Sequence, residues 1–317
     1  ELPVRALLSE LVLLAGKAMA SHLQALGMPG LYRMQAAPKP NEVEDILKLG
    51  NNLELDLTLE AGEDEDVRPQ DYQNWVQKFG QSSAPRLLCY LLKGTLKPVK
   101  YGTHPGFHFG LADTEGYVPC VSPAGRYADL LMQRILTAVL SDGRDRRHSR
   151  TKEGVKLGSS TCHGKINWNV LPAAVVSDFD ERVHMVLTGL NDRDKLAQDA
   201  ETDLDGLKKA EQMKERTGQV FQGLITGVQS YGFFVEVEDL LLEGLVHVSS
   251  LKDDWYEYRA RHSCLVGRKS RIAYRLGSRV RVRVKSVDYY RQQIDLVTVL
   301  EESDAAAADR LPEDEEE

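Results

Sequence analysis

Gly218-Gln-Val-Phe-Gln-Gly223, Gly227-Val-Gln-Ser-Tyr-Gly-Phe-Phe-Val235 and Glu243-Gly-Leu-Val-His-Val-Ser249, closed by Arg279-Val-Arg-Val-Arg-Val-Lys285 and Ile294-Asp-Leu296, change the chain's period from that of helices to that of strands. In the run from Arg279 to Lys285, a period of two puts Val280, Val282 and Val284 on one strand face and Arg279, Arg281, Arg283 and Lys285 on the other. Glycines at 223, 227, 232 and 244 mark the bends of a small, strongly curved barrel. Four cations in a row repel one another unless something anionic lies across them.

Upstream of this segment the pattern is helical. Residues 4 to 26 place Val4, Leu7, Leu8, Leu11, Leu14, Ala15, Ala18 and Met19 at three- and four-residue spacing, with Pro3 suited to a first turn. Further helices are predicted over 41–49, 71–79 and 84–93, with the acidic run Glu60 to Asp66 as a solvated loop. Ser122-Pro123 is expected to cap another helix, with Tyr127, Leu130, Leu131, Ile135 and Ala138 as its core face. Residues 141–185 read as an insertion or long loop, whose basic stretch Arg144 to Arg150 could touch an anion, and 192–216 as a polar connector helix.

Of 317 residues, 42% are hydrophobic and 28% charged, a balance that excludes a collagen, a coiled-coil rod and a fully disordered chain. No stretch approaches 18 uncharged apolar residues, so no integral membrane protein is expected. Cys89, Cys120, Cys162 and Cys264 lie tens of residues apart without a CxxC pair, which suggests neither a zinc knuckle nor a disulfide framework and fits a reducing cytoplasm. The net charge of −8 is uneven: nine acids against Arg310 alone fill 301–317, an expected disordered tail, whereas Arg259 to Arg291 holds eleven Lys or Arg against Asp288. The chain opens on Glu1-Leu2-Pro3 directly inside a helical pattern, so a missing amino-terminal part is expected.

The strand segment resembles the OB-fold RNA-binding domain named for ribosomal protein S-one over its whole length. That resemblance implies that Tyr231 and Phe234, flanking the Gly232 bend, and His247 face RNA. Aromatic rings so placed stack on bases at about 1–3 kcal/mol each. With Arg279, Arg281, Arg283, Lys285 and Arg291 they form the expected single-stranded RNA site.

His108-Phe-Gly-Leu-Ala112, Tyr117, Ser122-Pro-Ala-Gly-Arg-Tyr-Ala-Asp-Leu130, the opening Leu8-Ser-Glu-Leu-Val-Leu-Leu-Ala15 and Leu31-Tyr-Arg33 look like the carboxy-terminal half of the ribonuclease II/ribonuclease R catalytic domain, the RNB family. The segment from Thr151 to Pro172, with Ser160-Thr-Cys-His-Gly-Lys-Ile-Asn-Trp168, is similar to the family branch found in photosynthetic bacteria. The resemblance implies a 3′-to-5′ exoribonuclease that uses magnesium, and an α+β fold in which a mainly helical part of the catalytic domain (1–217) precedes an all-β OB-fold barrel (218–298) and the tail (299–317). Two departures follow. The Asp-rich cluster that holds magnesium in the family is absent, and Asp113, Glu115 and Asp129 lack ligand spacing, so this chain alone is expected to bind no metal and to be inactive. Gly125 stands where the family carries its catalytic Arg, leaving Arg126 one residue on and Ser122, at the expected helix start, as phosphate contacts. Glu10 and Tyr127 fall near the family's RNA channel, and Asp129 is expected on a helix surface. A catalytically degenerate RNA-binding or regulatory protein of the same family is the alternative.

Overall fold

The computed structural model describes residues 3–58, 67–237, 240–259 and 264–299; the acidic run and the acidic tail lie outside them. In chain order the elements are α1 (Pro3–Ala25), β1 (Tyr32–Met34), α2 (Pro40–Asn52), α3 (Pro69–Phe79), α4 (Pro85–Gly94), β2 (Lys100–Gly102), α5 (Tyr127–Asp142) and α6 (Ala173–Glu215). Then follow β3 (Val220–Gln229), β4 (Gly232–Val237), β5 (Leu242–His247), β6 (Tyr256–Arg259), β7 (Cys264–Gly267), β8 (Ala273–Arg275), β9 (Arg279–Asp288) and β10 (Gln293–Thr298). The mainly helical part followed by a β barrel is the predicted class. Helices α2, α3 and α4 each start on a proline, whose fixed φ suits the first turn and whose missing N–H leaves no donor unpaired there.

Two compact units form, one from 1–37 and 96–198, the other from 38–95 and 199–317. Residues 38–95, expected with the catalytic segment, therefore cluster with the barrel. In the first unit Met19, Ala20 and Leu23 of α1 pack on Leu131, Met132, Ile135 and Val139 of α5 and on Phe179 and Val183 of α6. A Cβ on Gly16 would fall 2.1 Å from the Tyr117 ring, so glycine is what lets the loop lie against α1.

Three expectations need correction here. The apolar residues of the first half of α1, Val4, Leu7, Leu8, Leu11 and Leu14, are all more than half exposed, and the buried stripe lies further along the helix. By length and composition α1 is also the one helix, among the described residues, that could cross a bilayer, although its last turns are spent on the core. On α5, Tyr127 and Leu130 face out while Ala128, Leu131, Met132, Ile135 and Val139 face in, so the buried face is turned by about one residue, roughly 100°, from the expected one, and the helix starts at Tyr127 rather than at Ser122. Helix α6 starts at Ala173, within the expected loop; its apolar stripe of Val176, Phe179, Val183, Val186 and Leu190 is spaced for a helix but follows a Gly/Ser-rich stretch that hides it.

In the second unit the strands close in the order β10-β5-β4-β3-β9. All pairs are antiparallel except β10 with β5. Val282, Val284, Phe233, Val235, Val246, Ile294 and Leu296 fill the interior. The stretch between β5 and β9 does not join the barrel but makes a three-stranded sheet, β6-β7-β8, tied to its core by the Tyr274 ring stacked 4.6 Å from Phe233.

Candidate nucleic-acid interface

Alternation along β9 is as predicted: Val282 and Val284 are buried, Arg279, Arg283 and Lys285 exposed and Arg281 half-buried. Register divides this cationic face. Arg279 lies opposite Leu224 of β3, and its Nη2 donates to the Ser83 carbonyl at 2.9 Å, so its guanidinium is held by backbone. Arg281 is half-buried opposite Gln222. Arg283 and Lys285 stand exposed, with no carboxylate partner among the described residues. Arg291, in the β9–β10 turn, sits 4.0 Å from Asp288 and off the strand face.

Following the register across the barrel, Arg283 pairs with Val297 on β10, Leu296 pairs with Val246 on β5, and Gly232 on β4 pairs with His247. Arg283, Val297 and His247 all point outward, so one row crosses β9, β10 and β5 and ends at Gly232. At the ordinary strand spacing the backbone positions of Arg283 and His247 stand about 10 Å apart. Tyr231, 45% exposed, makes an edge-to-face contact with Phe234 at 6.3 Å beside this row. His247 Nδ1 bonds the Ser249 hydroxyl at 2.7 Å, which fixes the ring with its other edge outward. Phe233, whose neighbour Phe234 is half-buried on the outer face, is wholly in the core. The structure thus brings Tyr231, Phe234, His247, Arg283 and Lys285 together on one side and leaves Arg279 and Arg291 out.

Two residues further along β4, Glu236 also points away from the core yet is 3% exposed. Burial, followed by the facing Glu243, pushes its carboxyl up to about 7, with Lys209 of α6 pulling the other way. A strand glutamate between two valines reads as a solvated position, and nothing in the local pattern signals its burial.

In the first unit, Arg126 is the exposed, extended residue before α5. Ser122 does not cap a helix. Its carbonyl accepts from the Gly125 and Arg126 N–H groups, and its own N–H donates to Asp129 Oδ2 at 2.8 Å, so the expected anion site at this turn is used up by the turn itself. Asp129 is fully buried instead of lying on the surface, and its Oδ1 has no hydrogen-bond partner. Around it, burial pushes the Tyr101 and Tyr117 phenols up, with Arg33 and Arg126 acting in the opposite direction. Arg33 lies 5.1 Å over the Tyr101 ring and 3.4 Å from Asp194, and its buried Nε is unpartnered. Arg33 is therefore the residue that joins Arg126 here; Leu31-Tyr-Arg33 carried the family resemblance without marking the arginine. Glu10 is exposed on α1, and Tyr127 lines a groove with Leu130, Arg134 and Phe179.

Magnesium needs clustered oxygen ligands. Asp113 is taken by Lys17 at 3.3 Å and by the Glu115 N–H, and Asp129 by Ser122. Among the described residues only His22, Cys162 and His163 converge as possible ligands, a nitrogen and sulfur set that does not fit magnesium.

A closed five-stranded barrel with aromatic and cationic side chains outward is an OB-type module, a fold that binds single strands on such a face. Residues 1–142 match the RNB domain and residues 214–298 the S1 RNA binding domain. The chain thus carries an RNB-domain segment followed by an S1 RNA binding domain. It is 55% identical over 298 residues to the acetazolamide conferring resistance protein zam of Synechocystis sp., covering 94% of this chain and 38% of that protein. It is 28% identical to ribonuclease R of Escherichia coli, covering 93% of this chain and 33% of that one. The solved structure of Mycoplasma genitalium RNase R in complex with ribose methylated single-stranded RNA shares the fold, with a TM-score of 0.69 over 92% of this chain and 41% of that one at 18% identity. The chain thus spans between a third and two fifths of the length of these curated relatives.

Proposed function

We propose that this chain is the RNA-holding part of a 3′-to-5′ exoribonuclease that hydrolyses single-stranded RNA in the cytoplasm, with magnesium bound by residues outside it. The observation that carries the reading is the outward row of Arg283 and His247 ending beside Tyr231 and Phe234. A strand lying across it meets rings that stack on bases of any identity and cations spaced for its phosphates, which is grip without sequence readout. Kinship with ribonuclease R, and the single-stranded RNA held by the Mycoplasma relative, support the same substrate. In the first unit, Arg33 and Arg126 beside Tyr101 and Tyr117 are the residues a phosphate would meet.

A second reading, a catalytically degenerate RNA-binding protein, is favoured by Gly125 in the place of the motif arginine. Tyr231→Ala and Phe234→Ala should each weaken binding of labelled single-stranded RNA by about 1–3 kcal/mol, whatever the sequence. Unchanged binding in both would sink the interface. Given magnesium, these 317 residues alone should release no mononucleotides, whereas a longer protein with an upstream Asp cluster should; a longer protein that binds but never cleaves selects the second reading.

A further inference from the structure

His22, near the end of α1, and the adjacent Cys162 and His163, at the end of the short 3-10 turn Ser160–Cys162, come together in the first unit. Their donor atoms all lie within 4.8 Å of one another. His22 Nδ1 is 2.9 Å from His163 Nε2, and the ring centroids are 5.2 Å apart at 38°, so the rings meet through their nitrogens rather than by stacking. Cys162 is fully buried and in no disulfide; the two rings are half-buried, so the group is closed behind the sulfur and open in front of the rings.

The backbone makes this convergence possible. Neighbouring residues on a continuing helix project about 100° apart. Here the helical turn stops at Cys162, and His163 continues with φ −58° and ψ 135°, which turns its ring back beside the thiol. Hydrogen bonds Cys162 N–H to Ser159 O, His163 N–H to Ser160 O and Lys165 N–H to Cys162 O hold the turn, and the Ser159 hydroxyl accepts from Thr161 N–H.

We propose that His22, Cys162 and His163 bind a zinc(II) ion, with water in the fourth position. Two imidazoles and a thiolate are a donor set that zinc takes in tetrahedral geometry, and one that leaves hard cations such as magnesium unbound. Zinc–nitrogen bonds of about 2.0–2.1 Å at the tetrahedral angle put the two nitrogens roughly 3.4 Å apart. The observed pair therefore has to open by only about half an ångström, and the ion takes the place of the proton the two rings share. Binding releases the Cys162 proton to solvent and leaves both imidazoles neutral. The ion would pin α1 to the turn at 160–163.

The test uses the full chain, free of any histidine tag and stripped by chelator, titrated with cobalt(II) and then zinc(II). Expected are one metal ion per chain, tetrahedral cobalt ligand-field bands with a sulfur-to-cobalt charge-transfer band, their loss on adding zinc, and a Tm that zinc raises. Cys162→Ser should abolish the charge-transfer band. His163→Ala should weaken cobalt binding by more than the roughly 10- to 100-fold cost of losing an outer contact. No tetrahedral bands at equimolar metal, or a charge-transfer band that survives Cys162→Ser, overturns the proposal. Because Cys162 is buried and its replacement can unfold the unit, His163→Ala is decisive on its own: full cobalt affinity in that folded variant refutes the site.

Discussion

Replacing Arg283 and Lys285 together by Ser should flatten the salt dependence of RNA binding, and replacing Arg279 should not. Each phosphate neutralised on a single strand contributes roughly 0.7 to the slope of log K against log salt. Two cations standing free on the outer face of β9 thus account for a slope of about 1.4, so between about 50 and 200 mM salt they cost the native chain roughly sevenfold in affinity that the double variant does not lose. Arg279 carries the same charge on the same strand face, but its Nη2 is committed to the Ser83 carbonyl and its cross-strand neighbour is Leu224. Its removal should show in stability, by about 1.5 kcal/mol, the low end for a hydrogen bond from a charged donor, and leave the slope alone. Fluorescence anisotropy of a labelled single-stranded RNA at four or five salt concentrations measures both. If Arg279→Ser flattens the slope as much as the double variant, the division of the strand by register is wrong; if neither variant changes it, RNA does not cross β9.

Glu236→Gln should stabilise the chain at neutral and higher pH. A carboxyl whose titration rises from 4.5 to about 7 on folding keeps its proton in the folded state while losing it in the unfolded one, so stability falls as pH climbs through that window, by about 3 kcal/mol in all. Urea denaturation should find the variant close to native at pH 4.5 and more stable by up to that amount at pH 8; an equal effect at both values refutes the burial account. In a longer protein that cleaves RNA, Gly125→Arg should raise the rate roughly 10- to 1000-fold with little change in affinity, since an added Cβ meets nothing closer than the rotatable Ser122 hydroxyl at 3.1 Å. Arg126→Ala is its counterpart in single-turnover assays: loss of cleavage there, with no gain from Gly125→Arg, means that the neighbouring arginine already serves.

Much of this was legible in residue order. The alternation from Arg279 to Lys285 and the spaced glycines specify a curved strand wherever they occur, and prolines ahead of apolar stripes mark helix starts, so the barrel and α2 to α4 follow from local chemistry. What escaped was decided by partners distant in sequence. Arg279 differs from Arg283 only because Ser83 arrives beside it, and Asp129 looks like a surface acid until the Ser122 N–H comes to rest on it. Cysteine spacing gave no hint of His22 with Cys162 and His163, because 141 residues separate the two histidines. The apolar start of α1 misled in the opposite direction: its periodicity is sound, but Val4, Leu7, Leu8, Leu11 and Leu14 are exposed in this chain.

Gly232 is where the interface and the barrel's closure meet. A Cβ there would lie 2.2 Å from the Val246 carbonyl and 3.0 Å from the His247 Cα, so β4 can approach β5 this closely only with hydrogen at that position. The same contact sets the distance between Tyr231 and His247, one on each side of it. Evolution or design can tune grip by exchanging the rings, but not by adjusting the bend between them: any side chain at 232 would pry the two strands apart and take the outward row with it, so a variant there that keeps its fold and merely binds more weakly is not to be expected.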